Sequence, residues 1–334
     1  SLPKALLWLV TLLLLILGFA PAILIIEWAY TSPVYYLLFL PYIPFAQFAF
    51  TPFFTLIGSY RYYSPMLLGY MATDKQITNS EGASVSVQQS HFFSAHTHGF
   101  RGGYASSRHS LSVAPIAGKG DDMQRDYWYS SMRHAGDLAS PEAVGRFAAQ
   151  RSLSRLHARK MATTSCPVLF ESPLAAGLLG GLVHALSGGA LYRQSSFLMD
   201  SLGKQVAAKH LNVSEDPFVM RGKGSSPFDE EGVKVQSRQV LHNGQVEGYF
   251  LSSYSARKLG MQTTGNAGGS HNLVMTSSLT RASDDLDAML RKLGTGLFVI
   301  ELMGQGINYV TGDYSRGATG FWVENGQIAY PVQE

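Results

Sequence analysis

The chain has 334 residues, 46% of them hydrophobic and only 15% charged, with a formal net charge of +3. The charged share lies well below the roughly 25% of ordinary soluble domains, and no run of lysine or arginine marks a nucleic-acid footprint. A single cysteine, Cys166, excludes an intrachain disulfide and a cysteine metal cluster, which fits a reducing compartment.

The charge deficit is concentrated at the start. Between residues 5 and 60 the only charged side chain is Glu27. "ALLWLVTLLLLILGFAPAILII" (5–26) is long enough for a membrane-crossing helix, which takes about 20 residues. No small-residue cleavage site follows it, which argues against a signal peptide. A second uncharged run, 28–60, contains Pro33, Pro41, Pro44 and Pro52, tolerated in a span where neighbours satisfy the freed carbonyls. Aromatic residues flank the runs, and Lys4 and Arg61 place both ends on the cytoplasmic side. The expectation is a two-span transmembrane helical hairpin over 1–70, with a re-entrant or surface segment as the alternative for 28–60.

From Asp74 the composition becomes that of a soluble protein. "ITNSEGASVSVQQS" alternates as an exposed strand does, and 99–118 reads as further strand. His91, His96 and His98 lie here among serines and glycines without a nearby carboxylate, so polar turn and strand positions are expected rather than a zinc site. "SPEAVGRFAAQRSLSRLHARK" (140–160) predicts a helix capped by Ser140 with Pro141 at its first position and Val144, Phe147 and Ala148 on its apolar stripe. "CPVLFES" predicts a short buried strand with Cys166 as a buried edge thiol. The glycine-rich stretch 172–189, "SPLAAGLLGGLVHALSGG", predicts a second helix carrying His184.

Asn243-Gly244 and Asn325-Gly326, each between alternating runs, predict two-residue type I′ hairpins. "SDDLDAMLRKLG" predicts a short helix capped by Ser283 and closed by Gly294. The fold class expected is α+β with mostly antiparallel sheets, preceded by the hairpin of spans. The domains expected are 1–70, a central region 73–200 and a β-rich C-terminal region 201–334.

Candidate chemistry is sparse. Tyr254-x-x-x-Lys258 has the acid–base spacing of short-chain dehydrogenases, one turn apart on a helix. No glycine-rich dinucleotide turn precedes it. Ser255-x-x-Lys258 has a serine-nucleophile spacing, without the partner motifs that accompany it. The glycines of 294–320 form no phosphate loop, and Asp313 and Arg316 are placed to pair across a turn.

"ITNSEGAS" (77–84), "RDYWYS" (125–130), "ESPLAAGLLGGLVHALSGGALYRQSSFL" (171–198), "SSYSARKLGMQTTGNAGGSHNL" (252–273) and "ELMGQGINYVTGDYSRGATGFWVENG" (301–326) closely resemble the PmbA, or TldE, branch of the TldD/PmbA family. The resemblance covers about residues 73–334. It implies a cytoplasmic subunit of a heterodimeric protease that degrades peptides and unfolded chains, in a family also described as modulators of DNA gyrase. The zinc of such a pair lies in the TldD-type partner, on a helix reading H-E-x-x-x-H. Set beside that helix, this chain has Gly180, Gly181 and Ala185 where the two ligands and the glutamate stand, so neither a metal nor a catalytic residue is expected here. His184 falls one place off, about 100° round the helix.

The matching motifs make His184, Tyr254, Arg257, Asn266, His271, Asp313 and Arg316 the candidates for a substrate cavity or interface. The partners implied are a TldD-type subunit and peptide or unfolded-protein substrates, with no nucleic acid, and a membrane only through residues 1–70. Two rival readings are a self-sufficient hydrolase or oxidoreductase using Tyr254, Ser255 and Lys258, and a membrane-anchored binding module. Members of the family carry an N-terminal domain of well over a hundred residues before "ITNSEG". Its absence here, with both ends appearing cut, is read as a truncated or misassembled reading frame, with a gene fusion as the alternative.

Overall fold

Alternation along two long runs sets the first sheet. In the computed structural model, which describes residues 65, 66, 69 and 73–333, β1 (Ile77–Ala95) and β2 (Arg101–Ala117) pair antiparallel over their whole length, from Ile77↔Ala117 to Ala95↔Arg101. β3 (Gln124–Arg125) and β4 (Trp128–Met132) add to β2. The inward positions of β2, Leu111 and Val113, are buried against Val144, Ala148 and Ala149 of α1 (Pro141–Ser154) and against Met66. Ser140 caps α1 by accepting the Ala143 N–H at 3.2 Å. The helix ends at Ser154, short of 160, because the chain turns out through a positive φ of 61° at His157. Phe147, expected on the core stripe, is 41% exposed and sets its ring edge-on to Trp128 at 4.6 Å.

The remaining elements, in chain order, are β5 (Val168–Phe170), α2 (Ser172–Ala185), α3 (Gly188–Tyr192), β6 (Leu211–Asp216), β7 (Arg238–His242) and β8 (Gln245–Val246). They continue with α4 (Ser253–Lys258), β9 (Asn272–Ser277), α5 (Leu286–Leu293), β10 (Gly296–Met303), β11 (Ile307–Asn308), β12 (Asp313–Tyr314), β13 (Gly317–Glu324) and β14 (Gln327–Val332). They form sheets of order β14-β13-β10-β5 and β8-β7-β6-β9, with a small β11-β12 hairpin. Among these strands only β5 with β10 is parallel. The α+β, mostly antiparallel expectation therefore agrees with the structure.

The transmembrane hairpin in the expected fold class is corrected. No helix among the described residues is long and apolar enough to cross a membrane, and the runs 5–26 and 28–60 lie outside the described residues. The low charge of the first 60 residues was a compositional argument, and it established no spanning helix.

Local details follow the sequence with three exceptions. Asn243 and Gly244 have φ of 49° and 76°, and Asn325 and Gly326 have 51° and 76°, so both pairs form the left-handed turns that Asn-Gly favours. The cap of α5 is Asp285, which accepts the Ala288 N–H at 2.8 Å, rather than Ser283. The stretch 172–189 is two helices, because Ser187 leaves helical conformation to cap α3 by accepting the Ala190 N–H at 3.3 Å. β5 is an edge strand with Val168 46% exposed, and Cys166 before it is half-buried; one flank of an edge strand has no neighbour to cover it.

A chain of charges joins the first sheet to the β10 sheet. Asp126, buried, lies against Arg151 and Arg155, which also pair with Glu171 and Glu301 respectively. The Arg151 Nε is 3.2 Å from Asp126 but is not aligned for a hydrogen bond, so this contact is Coulombic.

Candidate functional site

α2 is the natural starting point, because its sequence carries the glycine pair. Among its residues only Ala185 is fully buried; Leu179, Leu182 and Val183 are partly covered by the core. A side-chain carbon added at Gly177 or Gly180 would meet nothing within 4 Å, and at Gly181 it would touch only the Ile307 side chain, at 3.9 Å. This helix therefore presents an open strip of backbone. His184 is exposed and its ring lies 4.0 Å, centroid to centroid, from Tyr309 in the β11–β12 turn. The helix thus leans on that turn through an aromatic contact at its last residues.

The residues here do not fit a catalytic metal. Gly180, Gly181 and Ala185 carry no donor atom, the His184 ring is engaged with Tyr309, and no three His, Cys, Asp or Glu side chains converge among the described residues.

Asn266 and His271 meet around a residue that sequence reasoning missed, Glu215. β6 alternates, burying Val213 and Glu215 on one face. Glu215 Oε1 accepts from the His271 N–H at 2.7 Å, from His271 Nδ1 at 3.0 Å and from Asn266 Nδ2 at 2.8 Å; Oε2 accepts from Arg238 Nε at 2.7 Å. Burial alone would raise this carboxyl. The two hydrogen bonds from His271, then Arg238 and Asn266, reverse that and hold it down at about 2. The signal available in the sequence was an acid on the apolar face of an amphipathic strand.

Asn266 extends the network. Its Oδ1 accepts from Thr264 Oγ1 at 2.7 Å, and Thr264 Oγ1 in turn accepts the Leu251 N–H at 2.7 Å. The segment 264–272 is thereby tied to the strand behind it and to the residues leading into α4.

Tyr254, Ser255, Arg257 and Lys258 lie on α4. Ser255 is buried and forms a capping box: its N–H donates to Ser252 Oγ at 3.1 Å and its own Oγ accepts the Ser252 N–H at 3.0 Å. Tyr254 and Lys258 share a helix face, as their spacing predicts, with Lys258 Nζ 5.7 Å from the Tyr254 ring centroid. The two meet as cation and π-face.

Asp313 and Arg316 do not pair. Asp313 accepts from Thr311 Oγ1 at 2.6 Å, and Arg316 donates to the Gly304 carbonyl. The seven candidates thus fall into separate groups: His184 with Tyr309, Asn266 with His271 through Glu215, Tyr254 with Arg257 on α4, and Asp313 in β12 with Arg316 just after that strand.

These parts define an α+β chain of mostly antiparallel sheets whose glycine-rich helix carries no metal-binding side chain at Gly180, Gly181 or Ala185. Residues 66–156 match the PmbA/TldA metallopeptidase central domain and residues 163–334 its C-terminal domain, and the chain belongs to this family. Within it the chain lies on the PmbA branch. It is 48% identical over 264 residues to Metalloprotease PmbA of Escherichia coli O157:H7 and 47% identical over 264 residues to the Metalloprotease PmbA homolog of Haemophilus influenzae, in each case across 79% of this chain. It spans 58% of the length of each of those relatives.

Among solved structures, a candidate modulator of DNA gyrase from Bacteroides thetaiotaomicron superposes with a TM-score of 0.74 at 27% identity, covering 81% of this chain and 61% of that one. TldE from Thermococcus kodakarensis shares the fold, with a TM-score of 0.68 at 19% identity, covering 81% and 64%.

Proposed function

We propose that this chain is the non-metal, PmbA/TldE-type half of a heterodimeric zinc peptidase. It completes a chamber in which unfolded chains and peptides are held against the zinc of a TldD-type partner. The observation that carries this is the combination of the family's central and C-terminal domains with Gly180, Gly181 and Ala185 where the resemblance sets H-E-x-x-x-H. In this reading the open backbone strip of α2 faces the chamber. His184, Tyr254, Arg257, Asn266, His271, Asp313 and Arg316 contribute to its walls or to the subunit interface, and a cytoplasmic location follows. The central region and the β-rich C-terminal region act together, as the buried Asp126 network that links them supports.

The partner's zinc supplies the activated water. This chain's own residues supply shape and anchoring: the Glu215 cluster keeps 264–272 in place, and the His184–Tyr309 contact keeps the end of α2 against the β11–β12 turn. The rival hydrolase reading through Tyr254, Ser255 and Lys258 is disfavoured by the engagement of Ser255 in a helix cap.

The test is cleavage of an unstructured peptide by the chain extended over the full length of its relatives. Activity is expected only on mixing with a TldD-type subunit carrying H-E-x-x-x-H, and is expected to be chelator-sensitive. Chelator-sensitive cleavage without the partner overturns the reading, and so does a partner whose activity is indifferent to this chain.

A further inference from the structure

The chamber reading gives Tyr192 and Arg193, at the end of α3, and Lys258 of α4 no task, and places Tyr254 and Arg257 beside them only as wall or interface residues. The two helices are brought close because Gly188, at the start of α3, sits directly on Ser255; a side-chain carbon there would collide with the Ser255 side chain and come within 2.9 Å of Leu251. This approach sets the Tyr192 and Tyr254 rings edge-on, with centroids 5.7 Å apart and planes at 81°. A cation stands at each end of the ring pair. The Arg193 guanidinium carbon is 5.3 Å from the Tyr192 centroid, and Lys258 Nζ is 5.7 Å from that of Tyr254. Arg257 is beside Lys258 on the exposed side of α4. The contacts therefore run cation, ring, ring, cation.

Arg193, Arg257 and Lys258 are all exposed, and Tyr254 is 53% exposed. None of the three cations pairs with a carboxylate among the described residues. Glu231, a carboxylate that does contact α4, is held at the other end of the helix by the Ser253 N–H at 2.6 Å. Three exposed cations along this ladder lack a carboxylate partner, and the tyrosine faces compensate them only in part. The arrangement is complementary to an anion that also offers apolar or aromatic surface to the rings.

The spread of the charges selects the kind of anion. Two rings stand between Arg193 and Lys258, so the positive charge is distributed rather than focused on one point, and no glycine-rich loop provides the converging N–H groups of a compact phosphate site. An extended peptide places same-side residues about 6.6 Å apart, comparable with the steps along this ladder. We propose that the Arg193–Tyr192–Tyr254–Lys258 ladder, with Arg257, docks acidic extended peptide segments. Carboxylates of the segment meet the three cations, and intervening apolar side chains lie on the two tyrosines. The proposal rests on the peptide-handling reading above and names the substrate class that reading leaves open: unfolded segments rich in Glu and Asp.

The experiment is fluorescence anisotropy with the full chain and no partner subunit. The probe is a labelled unstructured peptide with glutamate at alternate positions, compared with its glutamine counterpart. The glutamate peptide is expected to bind about tenfold more tightly, with the difference shrinking as salt is raised. The double variant Arg193→Gln/Lys258→Gln removes the preference while its thermal midpoint stays at that of the parent, since both side chains are exposed. Equal binding of the two peptides overturns the proposal. So does a preference that survives the double variant, or displacement of the glutamate peptide by inorganic phosphate or a single-stranded oligonucleotide at matched charge concentration. Cleavage is not the readout. A chain that binds acidic peptide but confers no activity on a TldD-type partner refutes the peptidase reading alone, whereas partner-dependent cleavage without acidic preference refutes only the ladder.

Discussion

His271 gives Glu215 two hydrogen bonds at once, from its backbone N–H at 2.7 Å and from its ring Nδ1 at 3.0 Å, both onto the same carboxylate oxygen. A carboxylate accepts only, so in this geometry Nδ1 is the donor of the ring's hydrogen bond. The carboxyl is held down at about 2, against an ordinary value of 4.5. A depressed carboxyl adds stability that is fully present above its unfolded value and is lost as pH falls toward its folded value. Unfolding free energy should therefore fall between about pH 4.5 and about pH 2, by roughly 3 kcal/mol from this group. Glu215→Gln, which leaves Arg238 buried without its counter-charge, should cost about 3 kcal/mol at neutral pH and flatten that acid limb. Denaturant melts across pH decide it; an unchanged acid limb in the variant would sink the assignment.

Gly188 and Gly180 make a contrasting pair. Gly188→Ala drives a methyl into Ser255 and should lower stability by about 1–3 kcal/mol, as overpacking does. Gly180→Ala meets open space in a helix and should raise stability by up to about 1 kcal/mol. Chemical denaturation midpoints that move in the same direction for both would contradict the packing described.

Ser255→Ala removes half of a capping box. The expected loss is about 1 kcal/mol of stability, with partner-dependent peptide cleavage at 25 °C unchanged. A loss of activity by a factor of about a hundred or more without loss of stability would return Ser255 to candidacy as a nucleophile.

Metal content is measured most directly. Purified residues 73–334 should carry no stoichiometric zinc, since α2 offers no donor at Gly180, Gly181 or Ala185. One tightly held zinc per chain, by elemental analysis, would overturn the reading of this helix.

Sequence alone determined the elements whose cause is local. The Asn-Gly turns, the Ser140 cap of α1, the strand alternation of β1 and β2 and the Tyr254–Lys258 face all depend on residues a few positions apart. That Gly180, Gly181 and Ala185 carry no metal-binding side chain is likewise a matter of residue identity alone. The first 60 residues show the limit of composition, which suggested spans that the described structure does not support. Other features required the tertiary structure because their partners are far apart in the chain. β5 joins β10 across more than a hundred residues of sequence, and Glu215 gathers Arg238 from one distant segment and Asn266 and His271 from another. The Tyr192–Tyr254 contact exists only because Gly188 lets two helices touch. Local pattern dictates which backbone a segment adopts; which side chains share a buried space is set by packing, where the free energy of a contact is independent of how many residues separate its partners.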